Sequence, residues 1–304
     1  MSQVAGISSR RRSDLARVLS STRNFITPDD VVTALNVDPD TAAKRLARWA
    51  KDGWLRRVRR GLYIAVPVGV TNPSSWTDDA LVVANEVWPP CYFSGWTSAN
   101  YWGLSEQVFR STIVRTTARV RESPVTLLDH DYLVSHVGEE SMTWGLSTEW
   151  HGATRLLFAS PARTIIDILD SPIIGGGIRN GAEILNAYLN EYDPRMLIEF
   201  GDRLGNRAVF KRLGYLIEVT NQDFPDVIAA CQERVSTGIS ALDPSGPRAG
   251  HRVMKWGLRI NVHVGPAVSY THLDVYKRQG VPGMMIHRLR VPSLSFHVPT
   301  RRSL

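Results

Sequence analysis

The densest group of chemically capable side chains is Arg56, Arg57, Arg59 and Arg60, four guanidiniums within five residues. Just before them, Thr41, Lys44, Arg45, Arg48 and Lys51 recur at a spacing that, at 100° per residue, gathers them on one side of a helix. A planar guanidinium can make paired hydrogen bonds to a phosphate or enter a narrow minor groove, and a lysine adds a point charge. The chemistry of this set is neutralisation of a polyanion. Charge along the chain agrees: residues 1–65 hold 13 Lys+Arg against 6 Asp+Glu, which accounts for the whole formal net charge of +7. Such a local excess points to nucleic acid.

Catalytic arrangements fare worse. The histidines never fall three or four residues apart, so no helix presents a metal-binding pair. Cys91 and Cys231 are isolated and read as small apolar packing groups. Gly175, Gly176 and Gly177 precede a helix without a following Gly-Lys-Ser/Thr, so a mobile loop fits better than a phosphate cradle. No serine stands in a Gly-x-Ser-x-Gly elbow. Asp167 and Glu218 could be imagined as the metal-binding carboxylates of a nuclease, with Glu218 ending a β-like run. Thr220, however, occupies the position where such a site places a lysine to stabilise phosphate charge. The expectation is a protein that is not an enzyme, with no catalytic residue, metal or cofactor.

The elements that position the cations are legible from caps and periodicity. Thr27 is a good N-cap, Pro28 suits the first helical position, and Asp29 and Asp30 complement the helix dipole. A helix is expected to about residue 35, then a tight turn at residues 36–38. Asp38 caps again, Pro39 opens a second helix, and Gly53 stops it after Asp52. On that helix Ala42, Leu46, Trp49 and Ala50 face a core, opposite the cationic stripe. Residues 54–58 and 62–66 are β-rich runs joined by Arg59, Arg60 and Gly61, a hairpin. Helix, turn, basic helix and arginine-tipped hairpin is the order of a winged helix-turn-helix. Thr41, Lys44, Arg45, Arg48 and Lys51 then belong to the major-groove helix, and Arg56, Arg57, Arg59 and Arg60 to phosphates or a minor groove. Upstream, a short helix over residues 13–21 turns Leu15, Val18 and Leu19 to one side. Arg10, Arg11 and Arg12 precede it as a phosphate-binding arm or a solvated tail.

The remaining chain divides into a Pro/Gly/Ser-containing linker at residues 67–77, a larger domain at 78–265 and a tail at 266–304. Strands and helices cluster in the larger domain without strict alternation, which predicts an α+β fold. Its 17 basic against 22 acidic side chains over residues 66–265 argue against a second nucleic-acid clamp. The tail lacks periodicity, and residues 268–279 resemble translated library-adaptor sequence, so 266–304 is read as non-native or disordered. No apolar run is long enough to cross a membrane, and the N-terminus lacks the apolar core of a secretory signal. The expected location is the cytoplasm.

Several segments together resemble the AbiEi-type antitoxins of type IV toxin-antitoxin systems. They are the basic winged helix, Ser94-Gly95-Trp96-Thr97-Ser98-Ala99 to Gly103-Leu104, Ser160-Pro161-Ala162-Arg163-Thr164-Ile165-Ile166-Asp167, Arg212-Leu213-Gly214-Tyr215-Leu216 and Trp256-Gly257-Leu258-Arg259-Ile260-Asn261. The resemblance spans roughly residues 10–264, and it is the order of the segments that is specific. It implies a repressor of its own operon that binds double-stranded DNA at inverted repeats, and a second domain that counters a nucleotidyltransferase-like toxin. The residues themselves leave two further readings open, a ligand-responsive winged-helix regulator and a metal-dependent nuclease. Arg163, Asp167 and Arg212 read as a polar patch or, more simply, as surface ion pairs.

Overall fold

The caps legible in the sequence are the caps of the fold. The structure, a computed structural model, describes residues 9–265 apart from 23, 71, 73–75 and 221–222. Helix α1 (Ser9–Ser21) is followed by a two-residue strand β1 (Phe25–Ile26) and helix α2 (Pro28–Leu35). Thr27 and Asp30 close a reciprocal capping box on α2, and Asn36 ends it in the left-handed conformation. Asp38 caps α3 (Pro39–Lys51), which buries Ala42, Leu46 and Trp49. Strands β2 (Leu55–Arg59) and β3 (Leu62–Ala65) then form the hairpin, with Gly61 at φ 78° in its turn. β3 pairs with β1 on one side and β2 on the other, completing a winged helix. The tail at 266–304 lies outside the described residues.

This three-stranded sheet is covered on both faces. Leu55, Tyr63 and Ile26 belong to the core with Leu15, Val18, Val31, Leu46 and Trp49 of the helices. Val58, Leu62 and Ile64, on the opposite face by alternation, join the core that runs into the larger region through Val83, Phe93, Val114 and Tyr132.

That larger region is built on a mixed six-stranded sheet. Its strands are β4 (Cys91–Phe93), β5 (Ser111–Thr116), β6 (Val125–Leu127), β7 (His130–His136), β8 (Leu146–His151) and β9 (Thr154–Ala159), in the order β6-β7-β5-β4-β9-β8. Helix α4 (Ala80–Val87), capped by Asp79, and the winged module share one face. The other face carries α5 (Gly95–Tyr101), α6 (Pro161–Asp170), α7 (Ile178–Glu191), α8 (Arg195–Leu204), α9 (Ala208–Val219) and α10 (Pro225–Glu233). A small sheet of β10 (Ser240–Ala241), β12 (Leu258–Ile260) and β11 (His251–Val253) closes the described chain. The α+β expectation holds, with two corrections. The run ending at Glu218 is helix α9, and the glycine loop is packed. A Cβ on Gly175 would meet Ile168 at 2.6 Å, and the N-terminus of α7 is already filled by Asp243, whose carboxylate accepts from the Ile178 N–H at 2.9 Å. Burial pushes the Asp243 carboxyl up, but hydrogen bonds from Ser245 and from that N–H outweigh it and hold the group below its ordinary range.

The segments that carry the family resemblance converge on this helical layer. Arg163 and Asp167, expected at the surface, are each 1% exposed. Arg163 Nε donates to Asp167 Oδ1 at 2.7 Å, and its guanidinium lies 3.3 Å over the Trp144 ring. Asp167 Oδ2 also accepts from Ser94 Oγ at 2.7 Å and from the Tyr92 hydroxyl at 3.2 Å. Burial, with the Asp167 charge, raises the Tyr92 pKa. Arg212 stands apart from this pair, donating to the carbonyls of Leu169, Asp170, Ala241 and Leu242, so it binds the end of α6 to β10. Gly214 is small because Trp256, fully buried, lies where its Cβ would be, at 2.1 Å. Cys91 and Cys231 are buried, and that burial pushes both thiols up to about 12.

Replacing Asp167 by alanine strands the Arg163 charge in the core, and the expected loss is about 3–5 kcal/mol of stability. The double variant Arg163→Met, Asp167→Leu should recover much of it. Urea unfolding followed by circular dichroism measures both, and a single-variant loss of only about 1 kcal/mol, the scale of a surface pair, contradicts the assignment.

Candidate nucleic-acid interface

Helix α3 separates its faces as the 100° spacing requires, with Lys44, Arg48 and Lys51 exposed opposite the buried Ala42, Leu46 and Trp49. Among the described residues none of these three cations is held by a carboxylate. Arg45 differs. It is half-buried, and its guanidinium pairs with Asp14 of α1 at 2.8 Å, so it ties α1 to α3 before it can meet any ligand. Thr41 is also half-buried and serves the cap, its backbone N–H donating to Asp38 Oδ1 at 2.9 Å. Arg17 donates to the Ala34 carbonyl at 2.7 Å, securing the end of α2 against α1.

The four hairpin arginines do not act alike. Arg56 stands opposite Ile64 in the ladder, on the face turned to the larger region. It pairs with Asp129 at 2.8 Å, donates to the Trp76 carbonyl, and its side chain is only 16% exposed. Arg56, expected at a phosphate, is engaged within the protein and ties the hairpin to the body. Arg57, one residue on, takes the opposite face and is exposed, its Nε donating to the Arg59 carbonyl at 3.3 Å. A register shift between Arg57 and Arg59 then places Arg59 across from Leu62, and Arg59 and Arg60 are exposed at the tip.

Helix α1 begins at Ser9, earlier than the spacing suggested, so Arg10, Arg11 and Arg12 form its exposed first turn and are not a separate arm. Leu19, expected inward, is 37% exposed. The surface of the module therefore combines Lys44, Arg48, Lys51, Arg57, Arg59 and Arg60 with three arginines of α1. Asp167 and Glu218, the carboxylates a nuclease would need, have different partners. Asp167 is enclosed by Arg163, Tyr92 and Ser94, while Glu218 accepts from Lys255 and from Trp256 Nε1 at 2.5 Å.

Residues 13–66 match the family described as transcriptional regulator, AbiEi antitoxin. Over these residues the winged module is similar to the AbiEi antitoxin regulators. The AbiEi match covers the two helices, the hairpin and most of α1, and so includes Lys44, Arg48, Lys51, Arg57, Arg59 and Arg60. Over 84% of the chain the fold is similar to the crystal structure of the RV2827C protein from Mycobacterium tuberculosis, at a TM-score of 0.62, 14% identity and 93% of that chain covered. No curated protein matches the sequence. No helix among the described residues is long and apolar enough to cross a membrane.

The cap of α3 gives the winged module a pH dependence. Hydrogen bonds from Thr41, side chain first and backbone second, hold the Asp38 carboxyl below its ordinary range. A carboxyl depressed on folding stabilises above its unfolded pKa and loses that contribution as pH falls through the folded one. The stability gap between the native protein and Asp38→Asn should therefore shrink as pH drops from about 6 to about 3. Urea midpoints across that range report it, and a constant gap contradicts the ionic cap.

Proposed function

We propose that this protein is a DNA-binding transcriptional repressor of its own operon and the antitoxin of a type IV toxin-antitoxin pair, with a nucleotidyltransferase-like toxin as its partner. The observation that carries the reading is the unpaired cationic face of α3, flanked by Arg57 and Arg60, inside the stretch that matches the AbiEi family. A helix of this width enters a major groove, where lysine and arginine can read guanine edges, while the hairpin tip meets the neighbouring backbone. Lys44 and Arg48 are the base-reading candidates. Thr41, Arg45 and Lys51 support them, and Arg57, Arg59 and Arg60 neutralise phosphates. Inverted repeats in the operator would follow if two copies bind, as in other helix-turn-helix regulators. The role needs no cofactor, metal or catalytic residue, and it belongs in the cytoplasm.

A second reading, a ligand-responsive regulator, draws on an open cleft of about 810 Å3 between the module and the body, bordered by Phe25, Asp30, Glu86, Trp150 and Arg155. The antitoxin reading makes more of the family match, and co-expression with a neighbouring nucleotidyltransferase gene separates the two. Rescue of growth supports the antitoxin; toxicity unrelieved by this chain removes that half of the proposal.

For DNA, the double variant Lys44→Ala, Arg48→Ala should weaken binding to the region upstream of its own gene by roughly 2–4 kcal/mol. Arg56→Ala should lower thermal stability yet leave the affinity of the folded protein within about twofold, because its charge is already committed to Asp129. Gel shifts at fixed salt read both, and equal losses in the two variants contradict this division of labour.

A further inference from the structure

We propose that the duplex held by the winged module is also gripped by the larger region, through Arg119 and Arg121 on the loop between β5 and β6. The inference rests on the DNA-binding reading and extends it past residue 66, into a region whose net charge alone argues against such a contact. The supporting geometry is a cleft of about 570 Å3 lined by Arg59 of the hairpin together with Arg119, Arg121 and Glu122 of this loop, over a floor that includes Trp88 and Leu127. Three guanidiniums from two distant parts of the sequence thus border one depression. Arg59, Arg119 and Arg121 are exposed, and among the described residues none has a carboxylate partner, whereas Arg56 beside them is neutralised by Asp129. Glu122, also exposed, is the one acidic side chain on the rim, so the local balance stays positive.

Two features make this a prepared surface. The register shift that follows Arg57 turns Arg59 toward the body, so the hairpin tip presents one arginine to the cleft while Arg57 stays on the α3 side. The loop is also pinned at both ends. Thr116 Oγ1 donates to the carbonyls of Trp88 and Pro90 and accepts from the Ala118 N–H, each at 2.9 Å, and Ser123 Oγ accepts from the Val134 N–H at 3.0 Å. Held this way, the backbone that carries Arg119 and Arg121 has little freedom to lose on meeting a ligand. The occupant that matches three guanidiniums bordering one depression beside a DNA-reading hairpin is the sugar-phosphate backbone flanking the bases under α3.

The test is the salt dependence of binding by the full chain to a random-sequence duplex of about thirty base pairs, where phosphate contacts dominate. Removing two contacts with Arg119→Ala, Arg121→Ala should flatten the slope of log affinity against log salt by about 2 and reduce affinity on the order of tenfold or more at about 0.1 M salt. Both side chains are exposed, so thermal unfolding should be unchanged and serves as the control for folding. A native slope in a folded double variant overturns the extension and leaves the module's own role standing. If the native protein binds without salt dependence the extension falls, and if it does not bind the duplex at all both the extension and the DNA-binding reading fall. Loss of toxin neutralisation with an unaltered DNA slope would give these arginines to a protein partner and also overturns the proposal.

Discussion

The structure depends on a small sheet that is covered on both sides. Each strand of the β1-β3-β2 sheet sends alternate side chains into different cores: Leu55 and Tyr63 to the helices of the winged module, Val58, Leu62 and Ile64 to the larger region. Burying one aliphatic side chain is worth roughly 1.5–3 kcal/mol, so the second face alone contributes a substantial fraction of a domain's usual net stability. Arg56 reinforces the seam from its edge with Asp129 and the Trp76 carbonyl. An arginine in a basic cluster is thereby removed from the ligand's side and given to the architecture.

What remains on the ligand's side is set by the same alternation. α3 exposes the cations opposite its apolar stripe, and the hairpin divides its arginines between two directions. The body contributes its own polar framework. Arg163, Asp167, Ser94 and Tyr92 bridge α6 to β4, and Arg212 collects the carbonyls at the end of α6 and along β10. Inside the fold Arg163 is paired with Asp167 and Arg212 is met by carbonyls, whereas among the described residues Lys44, Arg48 and Lys51 on the module surface have no carboxylate partner.

Much of the winged module was legible in the sequence because its signals are local. Thr27 with Asp30, Asp38 with Pro39, and the spacing of Ala42, Leu46 and Trp49 specify the two helices without reference to anything distant. The fate of Arg56 was only half legible. Period-two alternation separates it from Arg57, but nothing nearby in the chain announces Asp129, 73 residues away. Arg45 was hidden for the same reason, since its partner Asp14 lies on another helix. In the body, short strands such as β4, with every residue buried, carry no alternation to read. Glu218 was misread because Leu216, Ile217 and Val219 are apolar enough for a strand while the segment continues the helix that Arg212 and Gly214 lock in place. Glycines of the recognised segments made sense only with neighbours in view: Gly214 leaves room for Trp256, and Gly95, at φ 55°, would put a Cβ 2.2 Å from the Ile174 carbonyl oxygen.

The doubly covered hairpin also governs how the chain could be cut. The end of β3 looks like a natural place to divide a DNA-binding head from the rest. Severing the polypeptide there would leave Val58, Leu62 and Ile64 as a wet apolar stripe on the head and a matching bare patch around Val83 and Tyr132 on the remainder. The two halves of the protein are therefore physically interdependent, and a signal that loosens one interior is felt in the other.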